Sequence, residues 1–381
     1  MMLRVLLLDL DEVLIEQVAY HQSLKGCVER ISRWCGYESV RLTDEDIALF
    51  ESLGVTSEWD SSAICAALLL DRAWSVNPEC RLPESPDAPN GRFHDLSSPD
   101  FQSFFRTTLE RGVSGIEARR LIEQRLLEGK EHAPAQRAAL QTMLRDAYDT
   151  ERSLTNRIIQ ELNLGTVEFE ACYGRPAAIP GEGLLRTKDL PLISAGEAAQ
   201  LVQWDATPGK RAIVFTNRLS RVPAGTGGAP EAEIGLARLG LSVLPFVSMG
   251  HLDWLCAERR LEPQSLLKPS PVHALAALRL AAGDSIGEAL AAAAALELDC
   301  QDGGGWRRLD GTQAIVFEDS FRGLQSARGA QQALDRIGVR LSLDLRGVTT
   351  RDVKRRALEL AGGVVYPDFS SAAHDILSSS T

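Results

Sequence analysis

The 381-residue chain has no CxxC pair, no HExxH segment and no internal repeat. Its seven cysteines stand apart, at Cys27, Cys35, Cys65, Cys80, Cys172, Cys256 and Cys300. An odd, scattered set argues against a disulfide framework or a structural zinc site. It reads as reduced thiols, most of them core fillers, in a cytoplasmic protein. Positive charge is also short: 41 Lys and Arg against 52 Asp and Glu give a net charge of −11. Nucleic acid and anionic membrane surfaces both want a basic face, so neither is the expected partner. A phosphorylated substrate stays compatible, because a divalent cation can supply local positive charge. Long apolar runs are missing as well. The Ala- and Leu-rich stretch 272–298 is interrupted by Arg279, Asp284 and Glu288, which excludes a membrane span there. The apolar run near the amino end is too short for a secretion signal.

What is present is an ordinary globular composition, 44% hydrophobic and 24% charged. The length exceeds what one core usually serves, so two domains are expected. The most informative stretch is Leu3-Arg4-Val5-Leu6-Leu7-Leu8-Asp9-Leu10-Asp11-Glu12. Its apolar run shows no polar alternation and is short, as in a buried parallel strand. It delivers Asp9 and Asp11 at the carboxyl end, where open α/β sheets bind ligands. As turn and cap residues these two acids would need no function. Their company later in the chain decides otherwise.

Helix patterns then dominate for roughly 190 residues, with Thr43, Ser114 and Ser194 as N-cap candidates. Residues 165–191 read as an irregular return path. Strands and helices alternate again from 206 onward, which implies a parallel sheet flanked by helices. The expected organisation is therefore discontinuous: core 1–14, an all-helical insertion 15–205, and core 206–381. The insertion leaves the chain just past the carboxylates, placed to cover them, with joints near 15–17 and 205–209. A glycine-rich stretch at 302–311, with the Ala-rich run before it, looks like a local insertion in the core.

Three further strand ends or helix starts carry polar chemistry. Ile213-Val214-Phe215 ends in Thr216-Asn217-Arg218. Lys268-Pro269-Ser270-Pro271 sets a lysine just before a proline-initiated helix. Ile315-Val316-Phe317 ends in Glu318-Asp319-Ser320. Each has a bland explanation: a strand-end cap, a solvated lysine, acids complementing a helix dipole. In this order, after Asp9-Leu10-Asp11, the set resembles the four motifs of the haloacid dehalogenase-like (HAD) hydrolase superfamily. Glu318-Asp319-Ser320-Phe321-Arg322-Gly323-Leu324 and Lys268-Pro269-Ser270-Pro271 look like the fourth and third motifs of its phosphoglycolate phosphatase and β-phosphoglucomutase branch. The helical insertion is similar in placement to that branch's cap, and Tyr20-His21 resembles a pair at the start of such caps. Residues 159–165 and 58–60 are similar to stretches of an uncharacterised subgroup.

The resemblance implies a Rossmann-like α/β core with an enlarged helical cap, and magnesium-dependent phosphatase activity on a small phosphorylated metabolite. Asp9 would be the nucleophile, forming an aspartyl-phosphate. Asp11 would protonate the leaving oxygen and then deprotonate water. Thr216, Asn217 and Lys268 would hold the phosphoryl group, with Lys268 also steadying the nucleophile. Mg2+ would be held by Asp9, Asp319, Glu318 and the backbone carbonyl of Asp11, an all-oxygen set. Arg218 reads as either a substrate contact or a surface ion pair. Lys25, Arg30 and Arg33 read equally as substrate contacts or a solvated face. Two departures stand out: Glu12 occupies a position where the family usually has Gly, and the cap is larger than usual. The alternatives are a sugar phosphomutase, suggested by Tyr20-His21, and a non-catalytic phosphometabolite-binding protein. Carbon–halogen hydrolysis is disfavoured, because the dehalogenase branch lacks an acid at the position of Asp11.

Overall fold

In the computed structural model, which describes residues 3–110, 113, 115–128, 131–223, 228–302 and 304–378, strand β1 (Arg4–Leu8) lies in the middle of a six-stranded sheet. Its side chains split by the period of two that a strand imposes. Val5 and Leu7 enter one core layer, Leu6 and Leu8 the other. Both faces are covered, which is why the run reads as continuously apolar.

The chain divides into two compact units, 1–17 with 189–381, and 18–188. In the first, a short ribbon pairs β2 (Ile15–Glu16) with β3 (Leu190–Pro191) where the chain leaves and returns. The main sheet adds β4 (Lys210–Phe215), β5 (Phe246–Val247), β6 (Thr312–Glu318), β7 (Leu341–Val348) and β8 (Val364–Tyr366). All pairings are parallel, in the order β5-β4-β1-β6-β7-β8. A parallel sheet presents all its carboxyl ends along one edge, which brings the residues after β1, β4 and β6 together.

The other unit consists of helices α1 (Val18–Trp34), α2 (Asp44–Leu53), α3 (Glu58–Ala73), α4 (Phe101–Thr108), α5 (Gly115–Leu127), α6 (Pro134–Arg145), α7 (Leu154–Tyr173) and α8 (Leu184–Thr187). Helix α3 is buried at every position except Arg72, so the other helices pack around it. Its polar residues are paired inside: Asp60 meets Arg119 at 2.6 Å and accepts from Tyr148 Oη at 3.0 Å. Helix α7 kinks at Gly165, whose φ of 73° and ψ of 175° suit glycine alone. A Cβ there would fall 2.3 Å from the Gly183 nitrogen.

Helices α9 (Ala195–Asp205), α10 (Glu231–Leu239) and α16 (Phe369–Leu377) line one face of the sheet. Helices α11 (Met249–Arg259), α12 (Pro271–Ala281), α13 (Ile286–Glu297) and α14 (Phe321–Arg336) line the other, with Leu358 of α15 (Asp352–Leu360) joining that layer. Among the described residues no helix is long and apolar enough to cross a membrane.

One expectation needs correction. The helical unit ends at Lys188, not at 205. Ala198, Leu201 and Trp204 of α9 bury against β4, and Trp204 Nε1 donates to the Arg211 carbonyl at 3.2 Å, so 189–205 belongs with the sheet. The joint therefore falls at 188–189 rather than 205–209. The stretch 283–312 packs into the core: Leu290, Ala293, Trp306 and Leu309 complete the α12 layer. Thr43 and Ser194 form full capping boxes on α2 and α9, while Ser114 lies outside the described residues.

Candidate active site

Asp9 directly follows β1, and its N–H donates to the Phe317 carbonyl of β6 at 3.0 Å. That bond fixes the Asp9 side chain beside the end of β6, where Glu318 and Asp319 stand. The three carboxylates each place an oxygen within 4.8 Å of the others, and all three residues are buried. Lys268, three residues before α12, donates from Nζ to Asp9 Oδ1 at 2.9 Å and also to Glu318 Oε1. Its ammonium lies 3.9 Å from the centre of the Phe215 ring, a cation–π contact.

Glu318 is committed on both oxygens. While Oε1 takes Lys268, Oε2 accepts from Ser320 Oγ at 2.8 Å and Ser320 N at 3.2 Å. Ser320 in turn caps α14 by accepting from Gly323 N at 3.1 Å. A Cβ at Gly323 would come within 1.9 Å of Glu318 Cδ, so a glycine is needed where the first turn of α14 meets this carboxylate.

Burial, then Glu318, Asp319 and Asp11, push the Asp9 carboxyl well above its usual range, and Lys268 only partly offsets them. Burial likewise raises Glu318, again against the pull of Lys268. Burial pulls Lys268 down, but Asp9 and Glu318 outweigh it and the ammonium is held charged. The carboxyl cluster is thus under-compensated by this chain's own cations.

Thr216 is fully buried at the end of β4, with its N–H on the Val247 carbonyl at 2.9 Å. Its Oγ1 accepts from the Arg218 backbone N–H at 3.1 Å. Asn217 is exposed beside it, outside the hydrogen-bonded cluster. Nearby, His273 of α12 is held down to about 3 by burial first and Lys268 next, so it is neutral and structural.

Arg218 is no surface residue. Its side chain is 1% exposed, and it donates to Asp11 Oδ1 from Nε at 2.9 Å and from Nη2 at 2.6 Å. Nη2 also reaches Asp189 Oδ2 at 2.9 Å. Another basic residue, Lys354 of α15, donates to Asp319 Oδ2. Burial lowers Lys354, but Asp319 and then Glu12 more than restore it. Neither the clamp on Asp11 nor the role of Lys354 is legible in the sequence. Both depend on which loops the parallel sheet brings to one edge.

Glu12 lies in the turn after Asp11 with φ of 59°, the left-handed region where glycine is at ease. Its N–H donates to the Ile15 carbonyl at 2.8 Å, closing the turn. Burial raises its carboxyl, and Lys354 partly offsets this. Glu12→Gly should therefore raise stability by up to about 1 kcal/mol, the left-handed strain less the extra freedom of an unfolded glycine. Urea unfolding measures it; a loss of stability would mean that the attraction between Glu12 and Lys354 outweighs the strain.

Within the helical unit, Tyr20 packs against Trp59 and His21 Nε2 lies 3.3 Å from Glu51, so each has a packing or charge partner there. Lys25 pairs with Asp44 and Arg33 with Glu29, as surface helices do.

No family model and no curated protein matches the chain. It is similar to an X-ray structure determined as a target of the Northeast Structural Genomics Consortium, with 18% identity and a TM-score of 0.57 over 99% of each chain. At that identity the likeness speaks to the fold alone.

Proposed function

We propose that this protein is a magnesium-dependent phosphatase of a small phosphorylated metabolite, acting through an aspartyl-phosphate, with a HAD-like core and an inserted helical cap. The observation that carries the reading is convergence. Asp9, Lys268, Glu318 and Asp319, from three distant segments of the chain, form one buried cluster at the carboxyl edge of a parallel sheet, with Lys268 hydrogen-bonded to Asp9 and Glu318.

In this reading Asp9 attacks phosphorus and Asp11 protonates the departing oxygen. Thr216 and Lys268 bind the phosphoryl oxygens, with Asn217 at the exposed side. The donor set suits a hard divalent cation, being all oxygen and short of positive charge. Asp9 and Asp319 are its better ligands, since among the described residues each has one oxygen with no hydrogen bond. Glu318 would act more as the anchor of Lys268, because both its oxygens are engaged. When bound, magnesium would supply charge neutralisation to the phosphoryl group and its nucleophile. The chain's own part is to align the Asp9 carboxylate and deliver a proton from Asp11.

The test is phosphate release from a panel of small phosphomonoesters, with magnesium and with chelator. Release that depends on magnesium is expected. If every ester is left intact, the phosphatase reading falls. Interconversion of sugar phosphate isomers without release would make the protein a mutase instead.

A further inference from the structure

We propose that Arg218 is a positioning residue that sets the orientation of the Asp11 carboxyl, and that Asp189 anchors the guanidinium for that purpose. The inference rests on the phosphatase reading above and assigns the component that readies its acid.

Two adjacent N–H groups of Arg218, Nε and Nη2, converge on the single oxygen Oδ1 of Asp11 at 2.9 and 2.6 Å. A lysine could supply the charge but not this paired grip, which a planar guanidinium makes in one fixed orientation. The guanidinium is itself held from several sides. Nη2 also donates to Asp189 Oδ2 at 2.9 Å, and Asp189 is fully buried. The Asp189 carbonyl accepts from Arg238 Nε of α10. On the same helix Gly235 leaves the needed room: a Cβ there would stand 3.1 Å from Arg218 Nη1. At its other end Arg218 is tied by its backbone N–H to Thr216 Oγ1.

The grip divides the work of the Asp11 carboxyl. Oδ1 carries both bonds from the arginine, whereas Oδ2 has no hydrogen bond among the described residues. Oδ2 is then the oxygen that exchanges a proton with the leaving group. In phosphoryl transfer to Asp9, the P–O bond to the leaving group breaks as the Asp9–P bond forms, and the Asp11 proton goes to the departing oxygen. A carboxyl free to turn spends little time in line for that transfer. Asp189 adds a second consequence. It is the first residue of the α/β unit on the return from the helical unit, so that crossing and the acid share one guanidinium.

The test uses two esters with magnesium. Ethyl phosphate needs a proton on its alkoxide; p-nitrophenyl phosphate releases a phenolate that leaves unaided. Wild type, Asp11→Asn, Arg218→Met, Arg218→Lys and Asp189→Asn are compared by kcat/KM, which reports the step in which the leaving group departs. Arg218→Met should lose about a hundredfold on ethyl phosphate and less than about tenfold on p-nitrophenyl phosphate, the same pattern as Asp11→Asn. Arg218→Lys should not restore the alkyl ester, and Asp189→Asn should shift in the same direction by less. Equal losses on both esters, or full rescue by lysine, would overturn the proposal while leaving the phosphatase intact. A wild type inactive on these two esters and on the whole phosphomonoester panel would remove the phosphatase reading and this one with it; activity on another alkyl ester of the panel moves the same comparison to that ester. A crystal structure of Arg218→Met gives a check without turnover: Asp11 should rotate away, and an unmoved carboxyl overturns the assignment. If Arg218→Met fails to fold, the Lys and Asn variants still decide.

Discussion

Asp9→Asn abolishes magnesium-dependent phosphate release, a loss of at least about a thousandfold, while the protein stays folded. The substitution keeps the shape of the side chain and one oxygen for Lys268, which now reaches Asp9 Oδ1 at 2.9 Å. It removes the nucleophile, since an amide oxygen does not attack phosphorus to form a stable acyl phosphate. It also removes a charge that burial, Glu318, Asp319 and Asp11 all oppose, so no loss of stability is expected. Phosphate release and urea unfolding on the same preparation separate the two effects. Turnover at the wild-type level would mean that the reaction happens elsewhere or in a contaminant. Loss of both turnover and fold would assign Asp9 a structural role and leave the chemistry without its nucleophile.

Lys268→Met should cost about 3–5 kcal/mol of stability as well as most of the activity. Lys268 is the only ammonium hydrogen-bonded to Asp9 and Glu318 among the described residues, and it is itself buried. Breaking a buried ion pair from one side leaves its partners unpaired in a low dielectric, the expensive case. Methionine keeps most of the side-chain volume and can still lie on Phe215, so lost packing is a small part of the effect. The pH dependence identifies the cause. Without Lys268 the folded-state pKa values of Asp9 and Glu318 rise further above their unfolded values. A carboxyl raised in the folded state favours folding only where it is protonated, and that contribution is lost as pH rises through the folded-state pKa. The deficit of the variant should therefore narrow as pH is lowered from about 8 to about 5. A deficit that is constant with pH would make packing, not charge, its source.

Glu318 shows how one residue can look alike in two roles from sequence. An acid pair after a strand reads as a pair of metal ligands. In the structure both carboxylates stand beside Asp9, but Asp319 takes Lys354 while Glu318 takes Lys268 and the serine that caps α14. Both carboxyls reach one cluster, and what each meets is decided by the distant segments that bring Lys268 and Lys354 to it.

Much of the architecture is legible in the sequence for a local reason. The runs ending at Leu8, Phe215 and Phe317 are apolar on both sides because their strands are covered on both faces, so existence and type of these strands need no tertiary information. The same holds for the capped starts at Thr43 and Ser194, where one side chain meets the amide three residues on. The order Asp9, Thr216, Lys268, Glu318-Asp319 is also local: each sits at the end of a strand or the start of a helix, and a parallel sheet gathers such ends.

Other features had no local signature. Helix α9 has the same helical spacing as the block before it, so only its burial against β4 assigns it to the sheet and moves the joint to Lys188–Asp189. Glu12 reads as a misplaced charge until the turn is seen to demand positive φ. Arg218 and Lys354 lie 207 and 35 residues from the acids they hold, Asp11 and Asp319. Sequence specified the strands, the caps and the chemical groups, because these depend on neighbours within a few residues. The tertiary structure alone decided which cation meets which carboxylate, because that pairing is set by strand order, which no short window of sequence contains.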